Sequence, residues 1–265
     1  MSDVLLSADE ISIVFGGLRA VSSFSCELKV GELVGLIGPN GAGKTTVFNM
    51  LSGVYSPTEG TICFTDSRGK THNAHAMKPY QLSKAGIART FQNIRLFGSL
   101  TVEDNVLIAM HAQRQITPLD AIFRTPRFYR DEERTRARAQ ELLALFRIDS
   151  KKHELASNLP YGEQRKLEIA CALATNPRLL LLDEPAAGMN PQETQELMEL
   201  IAFIRKQFNL TILLIEHDMK LVMGICERLI VLDYGRTIAA GLPQEIKENP
   251  AVIKAYLGEE AMIDA

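Results

Sequence analysis

The stretch GPNGAGKT, formed by Gly38, Pro39, Asn40, Gly41, Ala42, Gly43, Lys44 and Thr45, constrains this chain more than any other feature. It follows an apolar run at 33–37 that reads as a strand, and it precedes a helical pattern at 45–51 closed by Gly53. Glycines, a lysine and a hydroxyl residue at this spacing, between strand and helix, form a phosphate cradle. The glycines let successive backbone N–H groups curl around a phosphate, and the helix start adds a favourable dipole. Lys44 can neutralise phosphate oxygens, and the Thr45 hydroxyl can ligate Mg²⁺, with Thr46 next along the same turn.

A second motif supports the first. LLLLDE at 179–184 reads as a buried strand ending in two adjacent carboxylates, at the strand edge where ligands of α/β sheets sit. Asp183 can join a Mg²⁺ shell, while Glu184 can polarise an attacking water as general base. Around these motifs, strands are predicted at 11–15, 24–30, 61–64, 211–215 and 229–232. Residues 65–75 read as a polar surface loop. From Thr101, which reads as an N-cap, to about Ile148 the pattern turns helical, with a charged amphipathic run from Asp131 whose stripe includes Leu142, Leu145 and Phe146. A further helix starts at Pro191, capped by Asn190, with Leu197, Ile201, Ile204 and Phe208 on one face, and a short one lies near Met219. Strand and helix alternate through the second half, which predicts an α/β fold with a mainly parallel sheet.

Composition removes several function classes. With 265 residues, 46% of them hydrophobic, the chain can bury a substantial core without staples. A net charge of −3 and a pI near 6.0 supply no basic field for a nucleic-acid backbone. Cys26, Cys63, Cys171 and Cys226 are scattered, with no CxxC pair, so neither a zinc site nor a disulfide framework is expected. His72 and His75 lack cysteine or carboxylate neighbours of metal-site spacing and read as solvated; the run 130–138 reads as a solvated helix face. No apolar run approaches the roughly 20 residues of a membrane helix, and Asp3, Asp9 and Glu10 interrupt a signal-peptide core. The expectation is a cytosolic chain reaching any membrane through another subunit.

In order along the chain, the phosphate loop, LPYGEQ at 159–164, LLLLDEP and IEHD at 215–218 resemble the motifs of ABC ATPases over almost the whole length. The YGEQRKLEIA stretch before the second strand motif resembles the ABC signature and its helix, which ordinary P-loop kinases and GTPases lack. The resemblance implies a P-loop NTPase of ABC type. Its parallel core and an N-terminal antiparallel β subdomain would occupy 1–92 and 160–240, a helical subdomain 93–159, and a helical tail 241–265. It implies ATP and Mg²⁺ as ligands. Gln92 matches the glutamine that senses Mg²⁺ and the γ-phosphate, His217 the switch histidine, and Phe15 the aromatic that stacks on adenine.

In this family the signature of one subunit closes over the nucleotide of another, so Tyr161, Gly162, Glu163 and Gln164 would bind ATP in trans. Amide groups near Gly162 and Glu163 would face the γ-phosphate. Asn190 belongs to the matching D-loop. The sequence departs from LSGGQ: Pro160 takes the serine position, removing a hydroxyl and a backbone donor, and Tyr161 takes the first glycine.

RTFQNIRLFGSLTVEDNV, DEPAAGMNP, IEHDMKLVMGICERLIVLDYGR and NPAVIKAYLG narrow the resemblance to ATP-binding subunits of branched-chain amino acid importers. That implies a second ATPase subunit, identical or related, two membrane permeases and an external binding protein delivering Leu, Ile or Val. It also implies a place on the inner face of the membrane. Arg95, Leu96 and Phe97 would receive a permease helix. Relatives serving urea or other amides, and the ATPase of lipopolysaccharide export, share this layout. Soluble ABC ATPases of translation or repair carry tandem cassettes or a long coiled coil, which 265 residues do not hold. A non-hydrolysing regulator is disfavoured by Glu184, Gln92 and His217 together.

Overall fold

The computed structural model describes residues 4–111, 120 and 123–263; the parts of the predicted helical insert at 112–119, 121 and 122 lie outside the described residues. The chain opens with two long antiparallel strands, β1 (Val4–Phe15) and β2 (Leu18–Lys29), joined through Gly16 and Gly17, both at positive φ as a tight hairpin requires. The alternation read at 11–15 and 24–30 catches only part of each. Register shifts between Ala8 and Ile11 and again before Ile13 break the period of two that a strand shows in sequence.

Then follow β3 (Leu33–Ile37), α1 (Lys44–Leu51), β4 (Glu59–Thr65), β5 (Thr71–Asn73), α2 (Pro79–Ala85) and β6 (Ile87–Arg89). The helical part holds α3 (Val102–His111), α4 (Pro126–Leu145) and α5 (Tyr161–Ala174). The rest alternates: β7 (Leu179–Asp183), α6 (Pro191–Phe208), β8 (Thr211–Ile215), α7 (Met219–Ile225), β9 (Arg228–Asp233), β10 (Arg236–Gly241), α8 (Pro243–Lys247) and α9 (Pro250–Ile263).

Two sheets result. One is antiparallel, in the order β2-β1-β4-β5; the other runs β10-β9-β3-β8-β7-β6 and is parallel except for β10 at its edge. The parallel sheet is buried on both faces, which explains its continuous apolar strands. Leu33, Ile37, Leu180, Leu182, Ile212, Leu214, Leu229 and Val231 face one core, with Leu142, Phe146, Leu167 and Ile201 from the helices. The alternate residues Val34, Leu36, Leu179, Leu181, Leu213, Ile215, Ile230 and Leu232 face the other, shared with Val47 and Phe48 of α1 and the antiparallel sheet. Each such side chain contributes about 1.5–3 kcal/mol by leaving water. The sheet is therefore a rigid plate, and its strand ends are fixed points for a site.

Local signals placed the helix starts unevenly. Asn190 caps α6 as expected, its Oδ1 accepting from the Gln192 and Glu193 amides while Glu193 Oε2 accepts from Asn190 N. Thr101 Oγ1 accepts from Asp104 N, so it also caps as expected. The charged run from Asp131 lies within a helix that starts at Pro126, where Thr125 accepts from Phe128 N at 3.4 Å and proline suits the first turn.

The stretch 65–75 is not simply a loop, because Cys63, Phe64 and Thr65 pair with Asn73, His72 and Thr71. Nor are its histidines merely solvated. His72 Nε2 lies 2.8 Å from Asp66 Oδ2, and His75 Nδ1 accepts from Ile62 N at 3.2 Å. The four cysteines are free thiols. Among the described residues no helix is long and apolar enough to cross a membrane, and no cluster of three His, Cys, Asp or Glu side chains offers a metal cage.

Candidate functional site

The register of the parallel sheet brings the sequence motifs to one edge. Leu36 of β3 and Asp183 of β7 both pair with Ile215 of β8, so the three strands end side by side. The loop from Gly38, the Asp183 and Glu184 carboxylates, and Glu216 and His217 all emerge there, outside the carboxyl ends of the strands.

In the phosphate loop, Gly38 has φ 147°, and a Cβ there would stand 2.0 Å from the Leu232 carbonyl oxygen, so only glycine fits. Gly43, at φ 101°, packs less closely, a Cβ there standing 2.9 Å from the Ala20 carbonyl oxygen. Pro39 and Ala42 are buried, Asn40, Gly41 and Thr45 are exposed, and Thr46 is half-buried. Lys44 folds back over the loop, donating to the carbonyls of Gly38 (2.6 Å) and Pro39 (2.8 Å). This is a preformed turn with a buried ammonium at its centre and a hydroxyl at its rim, a donor set that fits a polyphosphate with its cation.

The β7 carboxylates sit in different environments. Asp183 is buried, and burial pushes its acid up, opposed by the Arg89 guanidinium. Arg89 Nη2 donates to Asp183 Oδ2 at 2.9 Å, the one hydrogen bond reaching that carboxylate among the described residues, and Oδ1 is an oxygen of the kind a hard cation could take. Arg89 was not singled out from sequence. Its Nη1 also donates to Asn49 Oδ1 (2.6 Å) and Ser52 Oγ (2.9 Å), tying α1 to β7 through β6.

Glu184 leaves the strand with φ 46°, a left-handed conformation that β-strand continuation does not use and that functional sites hold against its cost. Its amide donates to the Ile215 carbonyl. Its side chain accepts from Gln92 Nε2, 3.0 Å from Oε2. The structure thus brings Gln92, Asp183 and Glu184 together. His217 lies on the same edge with its ring 66% exposed, and its charged neighbour is Glu216, at 3.6 Å. Glu216 is buried, and burial raises its acid, while its two oxygens accept from the amides of Ala186 and His217. It therefore joins the loop after β7 to the loop after β8, a role its place in IEHD does not advertise.

The signature opens α5. Pro160 is its N-cap, with no side-chain bond to the helix, as the missing hydroxyl predicts. The Glu163 amide donates to the Pro160 carbonyl at 3.0 Å. Its carboxylate pairs with Lys151 Nζ at 2.7 and 2.8 Å. Gln164 donates to the Leu159 carbonyl (2.8 Å), Gly162 packs under Glu193, and Tyr161 lies over Gly188. Phe15 ends β1, 43% exposed, with Tyr55 edge-on at 5.2 Å between ring centroids. Beyond Gln92, Phe97 is 57% exposed and its backbone is held by Asn105, while Leu96 is half-buried and Arg95 lies over the Phe91 ring.

Comparisons with known proteins agree with this geometry. The family described as ABC transporter matches residues 21–187, and that described as branched-chain amino acid ATP-binding cassette transporter matches 236–262. The high-affinity branched-chain amino acid transport ATP-binding protein LivG of Salmonella typhimurium is 49% identical over 259 residues, which are 98% of this chain and 100% of LivG. BraF of Pseudomonas aeruginosa, of the same description, is 44% identical with the same coverage. A crystal structure of the ADP conformation of an ATP-binding cassette of an ABC transporter superposes with a TM-score of 0.81 at 27% identity, covering 97% of this chain and 100% of that one. The chain belongs to the ABC transporter family, as a nucleotide-binding cassette ATPase of its branched-chain amino acid transport group.

Proposed function

We propose that this chain is the MgATP-hydrolysing subunit of an importer for branched-chain amino acids, peripheral on the inner face of the membrane. The observation that carries the reading is the contact of Gln92 with Glu184 at the strand edge that also holds the phosphate loop. A water activator, a sensor and a polyphosphate cradle on one rigid edge suit phosphoryl transfer to water better than storage of a nucleotide.

Gly38 to Thr46 would hold the phosphates and Phe15 the adenine; Thr45, Asp183 and Gln92 would hold Mg²⁺, which neutralises developing charge on the phosphate oxygens. Glu184 would take the proton of an attacking water, and His217 would donate to a phosphate oxygen once the site closes. Tyr161, Gly162, Glu163 and Gln164 would complete the site of a second ATPase subunit, so the working unit is a dimer. The chain would act as one cassette, 1–265, with 93–159 as its permease-facing helical part and exposed Phe97 as an anchor for one of two permeases. The names of LivG and BraF, as branched-chain amino acid transport ATP-binding proteins, support Leu, Ile and Val as cargo; an external binding protein would deliver it.

Copurification with the permeases, followed by ATPase and uptake assays with Leu, Ile and Val, tests the reading. MgATP hydrolysis stimulated by partner and cargo is expected. A chain that binds MgATP without hydrolysing it in the assembled complex would sink it.

A further inference from the structure

Arg165 and Glu168 lie on α5, within one turn of the signature residues, and both are withdrawn from solvent: Arg165 is 0% exposed and its partner nearly so. Their ion pair, Arg165 Nη1 to Glu168 Oε2 at 2.8 Å, is spent on a segment 73 and more residues earlier. Arg165 Nη1 donates to the Phe91 carbonyl (2.6 Å) and Nη2 to the Gln92 carbonyl (2.7 Å). Glu168 Oε1 accepts from the amides of Phe91 (3.2 Å) and Arg95 (3.4 Å). Both charges therefore grip the backbone that carries Gln92. Nη2 also donates to the Tyr161 hydroxyl at 3.2 Å, which brings the first turn of the signature into the same network. The two Arg165 bonds to backbone carbonyls are short and charge-assisted, the strong kind, while the longer Glu168 bonds hold the neighbouring amides. A buried ion pair is otherwise a poor stabiliser, so its presence here asks for another use.

We propose that Arg165 and Glu168 are positioning residues for hydrolysis, fixing the Gln92 backbone so that its amide meets Glu184 and coupling that contact to the signature turn. This rests on the hydrolytic reading above. The pair touches neither nucleotide nor water; it acts through Gln92. Loss of the pair leaves the phosphate loop intact and frees Gln92 to leave Glu184.

The test measures steady-state ATP hydrolysis and MgATP affinity for the full chain, Arg165→Met, Gln92→Ala and the double variant. Arg165→Met is expected to lower kcat about tenfold or more while KM and nucleotide affinity stay within about threefold. On the Gln92→Ala background, Arg165→Met is expected to cost nothing further, because the two residues form one unit. Since Arg165→Met strands a buried carboxylate, Arg165→Met/Glu168→Leu, which removes both charges, is read by the same criteria wherever the single variant fails to fold. An unchanged kcat, or a loss that adds in full to that of Gln92→Ala, overturns the proposal. A parent chain with no MgATP hydrolysis even in the assembled complex instead overturns the function beneath it, and is seen before any variant is compared in that complex.

Discussion

Gln92 Nε2 donates to Glu184 Oε2 at 3.0 Å, joining the segment after β6 to the end of β7. The bond forms only because Glu184 turns out of the strand at φ 46° while its amide stays on the Ile215 carbonyl. A residue continuing β7 would follow the strand alternation that buries Leu182 and Leu180 on one face. The left-handed turn redirects the carboxylate toward the edge, where the phosphate loop begins.

Glu184→Gln keeps the size of the side chain and an oxygen for Gln92 but removes the carboxylate proposed as the base. ATP affinity is expected to remain within about threefold, while turnover falls by at least about a hundredfold. With hydrolysis blocked, MgATP should drive the chain into a dimer on size exclusion. Retained turnover would remove Glu184 as the base.

Lys44→Ala acts earlier in the cycle. The ammonium now bonds the carbonyls of Gly38 and Pro39 and is the charge that polyphosphate would meet. Loss of that charge-assisted contact is expected to weaken MgATP binding by about tenfold or more, following about 1.5–3 kcal/mol per hydrogen bond to a charged group. Fluorescent-nucleotide titration checks it; parent-like affinity would contradict the phosphate-cradle assignment.

Much of this site was legible because its signals are local. Residues 33–37 and 211–215 were bounded correctly, since a buried parallel strand is a continuous apolar run. By contrast β6 (Ile87–Arg89), β5 and the edge strand β10 are short or half-exposed and leave no periodic trace. Arg89 and Arg165 were missed for a different reason. An arginine in sequence reads as solvated, and what buries these two lies far away, at Asp183 and at Phe91 and Gln92. One signal was present: Arg165 stands four residues before Ile169 on the helix, on the apolar stripe, where a solvated charge does not belong.

Arg89→Met tests the first of these. It strands the buried Asp183 carboxylate and frees Asn49 and Ser52 from the bridge between α1 and β6. Removing one partner of a buried pair costs about 3–5 kcal/mol, whereas Arg89→Met/Asp183→Asn, which removes both charges of this pair, is expected to lose less. Urea unfolding of both variants measures the difference; equal losses would show that the ion pair is incidental.

Asp66 supplies a pH test away from the site. The hydrogen bond from His72 is the main cause holding its carboxyl down to about 2, with the Lys70 and Arg68 amides assisting. A depressed carboxyl stabilises the fold above its ordinary value of 3.8 and loses that contribution as pH falls toward about 2. NMR titration is expected to place the Asp66 midpoint near the lower figure and to move it upward in His72→Asn. An ordinary midpoint in the parent would contradict the pairing.

Pro160 is the departure with the clearest consequence. As N-cap of α5 it has φ −53° and ψ 151°, which serine adopts without strain, but it offers no side-chain bond to the helix. Pro160→Ser would add a cap of about 1 kcal/mol. The unfolded chain regains freedom of about 0.4–1 kcal/mol, so stability should hardly change. Turnover is therefore the informative readout. A serine hydroxyl at the helix start adds a donor where the partner's γ-phosphate would lie, so the site completed by this signature should hydrolyse faster. In a mixed dimer whose other site is silenced by Glu184→Gln, Pro160→Ser is expected to raise that turnover severalfold. If it leaves turnover unchanged, Pro160 does not weaken the trans site and both sites of such a dimer should run at equal rates.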